Sequence, residues 1–554
     1  MAESTPARIT TLRSLSLWVA GATLALGAIL RIWQYLANTS LWIDEIAVTN
    51  SIVDRSLGDL LLRPLAHHQV APIGFLATQK LAVVGIGPSE YALRLVPLAC
   101  SLAALVLFWR LASRVLSGAG PLIAVTLFAT AAPLIAFGAL AKQYSSDVLI
   151  AVILLGVALN VASQPPTMGR VVKAAIIGGV LVWFSNSAVF VLTGLAVALA
   201  LSQATASDRA TRLRAMAPML VGWVAVAVAA TLVALSIVTV ATREYMRRFW
   251  VAGFAPRSIE AFTSSLWPWD QVRGVLGNGL PAGLGYPLPV LFAVLAAGGV
   301  WVLGRRDRTV ALLLLGPLVL VLAAAIAREY PFRDRLILFL LPGLLIAIAA
   351  CIEWIRERLT SASPLLGTAT VIGLTGLAVY PVTARPPTYR TEDMKQVVSY
   401  VAANRRPDDG IYVYYGAAPA VLRYGGMYGL PRHGYLVGGC HRGDARRYLQ
   451  ELDRFRGQSR VWVLFTHPLP RYHERENILH YLRAIGIQRD SLTVSSRAVS
   501  WTPLPAEAFL YDLSDAGRLS QAAAELFPLE GPQATDGRFP CGEGPQAMVA
   551  SDYQ

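Results

Sequence analysis

Two adjacent carboxylates, Asp44 and Glu45, are the first residues in this chain that could do chemistry. They stand in the stretch Asn38–Ala47, NTSLWIDEIA, between Trp42, Ile43 and Ile46, just after an apolar run at Leu15–Leu30. Acids beside an apolar segment are costly unless paired or put to use. One use is to take the proton of an attacking hydroxyl. The plain alternative is a helix start with acids in its first turn. Further on come Lys142, then Arg243, Arg247 and Arg248, then Arg328, Arg333 and Arg335. Gathered cations of this kind suit a phosphate or an anionic headgroup. Their alternative is to act as snorkelling anchors at helix ends.

These residues have to be positioned by membrane helices. The chain has 554 residues, 55% of them hydrophobic and only 15% charged, with a mean hydropathy of +0.51. Soluble domains carry about 25% charged residues, so the chain reads as a mainly α, polytopic membrane protein. Its net charge of +14 would suggest nucleic acid in a soluble protein. Here the basic residues flank apolar runs, and there is no zinc-finger spacing or basic–aromatic repeat. The charge therefore reads as topology and contact with the bilayer, with no nucleic-acid partner.

A span needs about 20 mainly apolar residues. The pattern predicts spans near 14–34, 92–112, 119–139, 147–163, 170–184, 187–203, 215–241, 285–303, 309–327, 335–354 and 364–383, about eleven helices. The pair at 170–203 is separated only by Ser185-Asn186-Ser187. Arg8 and Arg13 precede the first span, which reads as a retained signal-anchor. With the N-terminus cytoplasmic, Arg110 and Arg114, Arg170 and Lys173, Arg209 to Arg214, Arg305 to Arg308, and Arg356 and Arg358 fall on the inside, as the positive-inside rule requires. The expected location is the plasma (inner) membrane, with Asp44 and Glu45 outside and the C-terminal domain extracytoplasmic.

Residues 1–384 form the expected transmembrane domain, with a long first external loop at 36–91. Ser56–Leu65 and Ile73–Val84 in that loop read as interfacial helices, with His67, His68, Gln69 and Pro72 between them. The two histidines could cap the turn, line an acceptor or lid region, or hold a metal with Asp44 or Glu45. The loop 243–284 is rich in aromatics, among them Tyr245, Phe249, Trp250, Trp267 and Trp269. It reads as an interfacial belt or as a lid over a lipid or sugar site. Its glycines, Gly274, Gly277, Gly279 and Gly283, follow no strand and are not a dinucleotide fingerprint.

Residues 385–554 read as a small α/β domain. Strands are expected at Gly410–Tyr415 and Arg460–Phe465 and helices at Met394–Asn404 and Glu474–Ala484, with a loose tail from about Leu529. His473, Glu474 and His480 read as helix-surface residues. Cys100 and Cys351 read as small core hydrophobes. Cys440 and Cys541 are too sparse for a zinc site and can be bridged if the domain lies outside the cytoplasm.

Three motifs fall on one expected face: Asp44-Glu45; Lys142-Gln143-Tyr144 with Asp147; and Glu329-Tyr330-Pro331-Phe332-Arg333-Asp334-Arg335. Over about residues 10–355 this ordering resembles the GT-C superfamily of membrane glycosyltransferases. It is most similar to the protein O-mannosyltransferase and lipid A aminoarabinose transferase branch. The resemblance implies that Asp44 and Glu45 are the catalytic pair. It implies that Lys142, Tyr144 and Arg335 bind a donor phosphate, to which the chemistry could add Arg333 as a further cation, and Tyr330 could stand in an acceptor or lid region. Lys142 stands where the family usually has arginine, so a bidentate fork is missing there.

The resemblance also implies a polyprenyl-phosphate-linked sugar donor and a lipid, glycan or protein acceptor reached from the outer face. Breaking the anomeric bond leaves charge on a lipid phosphate, which cations stabilise, so the chemistry requires no cofactor. A divalent metal is the alternative source of that charge. A lipid-linked-sugar transporter and a non-catalytic envelope-assembly scaffold are the competing readings. Convergence of Asp44, Lys142 and Arg335 on one cleft would argue against the scaffold.

Overall fold

The computed structural model describes residues 6–203, 209–277, 282–431, 434–496, 504–531 and 541. The chain enters through α1 (Pro6–Leu36). The first loop then folds into α2 (Ile43–Asp54), α3 (Leu57–Leu62) and α4 (Ile73–Ile86). α3 begins where the Ser56 side chain accepts from the Asp59 N–H, a standard N-cap. The expected interfacial helices are thus α3 and α4, and α2 carries Asp44 and Glu45 in its first turn, the helix start that the sequence offers as the plain alternative.

The bundle continues with α5 (Glu90–Val115), α6 (Gly120–Thr130), α7 (Ala132–Ala136), α8 (Tyr144–Ser163), α9 (Met168–Leu181), α10 (Ala188–Ser202) and α11 (Arg209–Ile237). The second long loop holds α12 (Val240–Phe249), α13 (Ile259–Ser264) and α14 (Trp267–Leu276). Then come α15 (Pro289–Arg306), α16 (Arg308–Ile326), α17 (Leu341–Thr360) and α18 (Pro364–Ala384).

Among the described residues, eight helices are long and apolar enough to cross a membrane, or nine if α6 and the segment after it form one bent span. About eleven were expected. The difference lies at 170–203, where α9 and α10 have 14 and 15 residues. At a rise of about 1.5 Å per residue, each is shorter than the roughly 30 Å apolar core of a bilayer. Their break is built by Ser185, whose hydroxyl accepts from the Ala188 N–H at 3.1 Å.

The bend of 55° after α6 leaves carbonyls without helical partners. Arg31 of α1 supplies donors to Phe128 O at 3.1 Å and Ala129 O at 3.0 Å, and also bonds Gly27 O and Ser101 Oγ. A fully buried arginine inside a first span is tolerated because these oxygens satisfy it.

The C-terminal region contains α19 (Met394–Asn404), β1 (Gly410–Val413), α20 (Ala418–Tyr424), β2 (Leu436–Val437), α21 (Ala445–Leu452), β3 (Val461–Phe465), α22 (Glu474–Ile485), β4 (Ile487–Val494), β5 (Ala506–Asp512) and α23 (Ala516–Gln521). The sheet order is β2-β1-β3-β5-β4. β1 runs parallel to β2 and β3, and β5 is antiparallel to β3 and β4. β1 and β3 read as continuous apolar runs because both of their faces are covered. Cys440 is disulfide-bonded to Cys541. The expected tail from about Leu529 falls mostly at 532–540 and 542–554, and Gly279 at 278–281, outside the described residues.

One apolar cluster joins the first loop to this domain: Leu41, Ile43, Ile46 and Ile52 pack with Val397, Val401, Val421 and Tyr424. The turn before Asp44 is held by four consecutive backbone bonds. Ser40 N–H donates to Asp393 Oδ1 at 3.1 Å, Leu41 N–H to Tyr424 Oη at 2.7 Å and Ile43 N–H to Glu392 Oε2 at 3.3 Å. Trp42 N–H donates to Glu45 Oε2 at 3.3 Å. Three of these four acceptors belong to the C-terminal domain.

Candidate active site

The first turn of α2 separates its two acids by role. Glu45 is fully buried. Its oxygens accept from the Arg94 guanidinium at 3.3 and 3.4 Å, from Trp42 N–H, and from Ala141 N–H at 2.7 Å. Glu45 therefore fastens α2 to the start of α5 and to the turn that carries Lys142. Asp44 faces outward, with 19% of its side chain exposed, and Oδ2 accepts from Arg335 Nη2 at 2.9 Å.

Arg335 is the hub. Its Nε donates to Tyr144 Oη at 2.9 Å, and Nη1 lies 3.6 Å from Asp334. Its guanidinium stands 5.1 Å from the ring centres of both Trp42 and Trp250, a cation–π sandwich. The short 3₁₀ stretch Asp334–Leu340 aims it inward, with Asp334 in the left-handed region at φ 54° and accepting from Ala282 N–H.

Lys142 is buried and donates from Nζ to Gln69 Oε1 at 2.6 Å. Burial pulls its ammonium down to about 8; Asp44 opposes that pull, Arg335 adds to it and Glu45 opposes it again. Asp44, Lys142, Tyr144 and Arg335 therefore share one electrostatic neighbourhood.

Beside it runs an open groove between the first loop and the end of α11, lined by Leu61, Gln69, Pro72, Trp183, Ala234 and Ile237. The groove is mainly apolar along its length and reaches Lys142 through Gln69. His68 closes its rim: Nδ1 bonds Thr242 Oγ1 at 3.0 Å, and the ring stacks on Tyr245 at 4.9 Å. His67 and His68 both adopt left-handed backbone, with φ 56°. No group of three or more His, Cys, Asp or Glu side chains is arranged to hold a metal ion among the described residues.

Two expected site residues lie apart from the Asp44–Arg335 contact. Tyr330 donates to Leu336 O at 2.8 Å and packs on Phe190, so its hydroxyl braces the turn that leads to Arg335. Arg333 reaches back to Ala252 O at 3.5 Å. Burial holds its guanidinium below its ordinary value against the pull of Asp334 and Asp270. The aromatic loop is joined there: Phe332 N–H donates to Gly253 O at 2.8 Å, and a Cβ on Gly253 would stand 2.7 Å from Pro331 Cβ. That close approach carries Trp250 over Arg335.

Arg94, Tyr424 and Glu392 are absent from the residues that the sequence singles out, whereas Trp250 belongs to the aromatic loop it marks as a belt or lid. Arg94 had a signal, since a cation within an expected span demands a partner. Glu474 corrects an expectation: it is buried, not on a helix surface, and accepts from Tyr448 at 2.8 Å and from Tyr414. Burial, the largest effect, keeps its carboxyl above the usual range despite these bonds.

No protein-family model and no curated protein matches the chain. Among solved structures it is similar to the archaeal oligosaccharyltransferase AglB from Archaeoglobus fulgidus in complex with an inhibitory peptide and a dolichol-phosphate. That match has 13% identity and a TM-score of 0.46, covering 94% of this chain and 75% of that one. It is also similar to ArnT from Cupriavidus metallidurans in the apo state, with 11% identity and a TM-score of 0.46 over 88% of this chain and 98% of that one. For ArnT bound to undecaprenyl phosphate the values are 12% and 0.44, over 90% and 99%. These are likenesses of fold.

Proposed function

We propose that the chain is a membrane glycosyltransferase that moves a sugar from a polyprenyl-phosphate donor to a hydroxyl-bearing acceptor on the outer face of the plasma membrane. The observation that carries this reading is the meeting of Asp44, Arg335 and Tyr144, from three distant stretches, near a mainly apolar groove whose lining residue Gln69 accepts from Lys142. The groove suits a polyprenyl chain. Lys142 and Arg335 lie where the lipid phosphate would sit.

The acceptor oxygen attacks the anomeric carbon, and the bond from that carbon to the phosphate oxygen breaks. The electron pair leaves on the lipid phosphate, where Lys142 and Arg335 stabilise it. Asp44 takes the acceptor proton, an effect of about 10²–10⁴-fold for a positioned base. A single displacement inverts the sugar configuration. Glu45 positions Asp44 and the Lys142 turn rather than touching substrate. The Trp42 indole N–H is buried without a partner among the described residues. A buried donor of that kind is satisfied when a sugar hydroxyl or phosphate oxygen binds.

The test compares envelope glycolipids and glycans by mass spectrometry in cells with and without the chain. A glycan or lipid lighter by one sugar in its absence supports the reading. Identical profiles overturn it.

A further inference from the structure

The segment that follows β3 is tied through Glu392 to the start of α2, next to Asp44. From β1 the chain leaves through α20 to β2 on one side, and from β3 it leaves through α22 towards β4 on the other. Adjacent parallel strands whose connections diverge form a switch point, and ligands of open α/β sheets sit outside the carboxyl ends of such strands. At that end the strands approach closely: a Cβ on Gly416 would lie 2.7 Å from Thr466 O and 3.3 Å from His467 Cβ.

His467 follows β3 by two residues. Its Nδ1 bonds Glu392 Oε1, and the other Glu392 oxygen accepts Ile43 N–H, the peptide next to Asp44. Glu392 and His467 both hold left-handed backbone, at φ 55° and 57°. Non-glycine residues held there are strained and cluster where function demands it. Nε2 has no hydrogen-bond partner among the described residues, and the side chain is 14% exposed.

We infer that His467, oriented by Glu392, is a substrate-contacting residue that holds the acceptor near Asp44, where the end of β3 is tied to the first turn of α2. The acceptor is then a polar, hydroxyl-bearing molecule that enters at the ends of β1 and β3. The donor lipid enters from the opposite side, along the groove at Gln69. This inference rests on the transferase reading and adds where the second substrate sits. Burial pulls the His467 imidazole down. Glu392 more than offsets that pull and holds it above its ordinary value, with Arg442 opposing and Asp44 adding. The shift favours the imidazolium, the form in which Nε2 is a donor while Nδ1 serves Glu392.

The test complements cells lacking the chain with wild type, Asp44→Asn, His467→Ala and His467→Gln, matched for membrane level. Envelope products are quantified by mass spectrometry, and each purified variant is titrated with undecaprenyl phosphate. His467→Ala is expected to lower product at least about tenfold, the worth of one good substrate hydrogen bond. His467→Gln, which keeps a donor, is expected to recover part of that loss. Both are expected to bind undecaprenyl phosphate as wild type does. Full product from His467→Ala, while Asp44→Asn makes none, would overturn the inference and leave the transferase reading intact. Loss of undecaprenyl phosphate binding in both His467 variants would also overturn it, because the residue would then serve the donor side or the fold. An Asp44→Asn strain indistinguishable from wild type would instead sink the transferase reading itself.

Discussion

Arg335 Nη2 lies 2.9 Å from Asp44 Oδ2, although 291 residues of chain separate the two. The pair is partly exposed, with 10% and 19% of the side chains accessible. It is thus positioned by the fold and still reachable by a ligand. The same guanidinium holds Tyr144 and is faced by Trp42 and Trp250. A bound phosphate could draw Arg335 towards itself and release Asp44 to take a proton, coupling donor binding to base activation.

Arg335→Lys keeps the charge and loses the planar fork, so it cannot hold Asp44 and Tyr144 together. Undecaprenyl phosphate affinity measured on the purified variant should fall about tenfold, the scale of one lost charge-assisted bond. Unchanged affinity would remove Arg335 from the phosphate site.

Glu45→Ala should act on the fold. It removes the nearer carboxylate from the buried Arg94, which keeps Glu90 at 3.9 Å and the Thr39 and Ser40 carbonyls, and it leaves the Ala141 N–H without its acceptor, a cost of about 1–3 kcal/mol. The expected result is a lower unfolding temperature in detergent, with loss of transfer following from misplacement of α2. A variant as stable as wild type would show that Arg94 finds other partners.

Much of this arrangement could be read from residue types. Apolar runs broken by arginine clusters gave the multi-pass, mainly helical architecture, and acids beside an apolar run marked Asp44 and Glu45. The strands at 410–413 and 461–465 stood out because both faces are buried. The break between α9 and α10 falls at the polar triplet the sequence marks, but helices of 14 and 15 residues are too short to cross a bilayer, so apolar composition overcounts the spans there. The part played by the C-terminal domain was not legible at all. Asp393, Tyr424 and Glu392 bond backbone N–H groups some 350 residues away or more, and such contacts leave no local pattern. The division of labour between Asp44 and Glu45 was equally hidden, since it depends on Arg94 and Ala141 N–H meeting only one of two neighbouring acids.

Tyr424→Phe tests the grip of the C-terminal domain. The hydroxyl accepts from Leu41 N–H and donates to Glu90 Oε1 at 2.6 Å. Its removal leaves a buried donor unsatisfied, at a cost of about 1–3 kcal/mol. The thermal midpoint should fall and product should drop, while undecaprenyl phosphate binding persists. A drop in binding equal to the drop in product would place the defect on the donor side.

Lys142 gives a pH prediction. With its ammonium held at about 8, it is charged below that value and loses its charge as pH rises through it. Undecaprenyl phosphate affinity should therefore fall roughly tenfold between about pH 7 and 9.5. Lys142→Arg stays charged across this range and should flatten the profile. Equal slopes for the two proteins would exclude Lys142 as a phosphate contact.

The Cys440–Cys541 bridge predicts an oxidising compartment for the C-terminal domain. Non-reducing and reducing gels of the membrane-extracted chain should differ in mobility, and maleimide should label neither cysteine before reduction. Free-thiol labelling of both would put the domain in the cytoplasm.

The central claim is tested most directly by the envelope of cells that make Asp44→Asn at the wild-type level. Mass spectrometry should show the glycosylated product absent and a polyprenyl-phosphate-linked sugar accumulating, as in cells lacking the chain. A full wild-type complement of product would contradict the account, because no transfer at this site could then depend on Asp44.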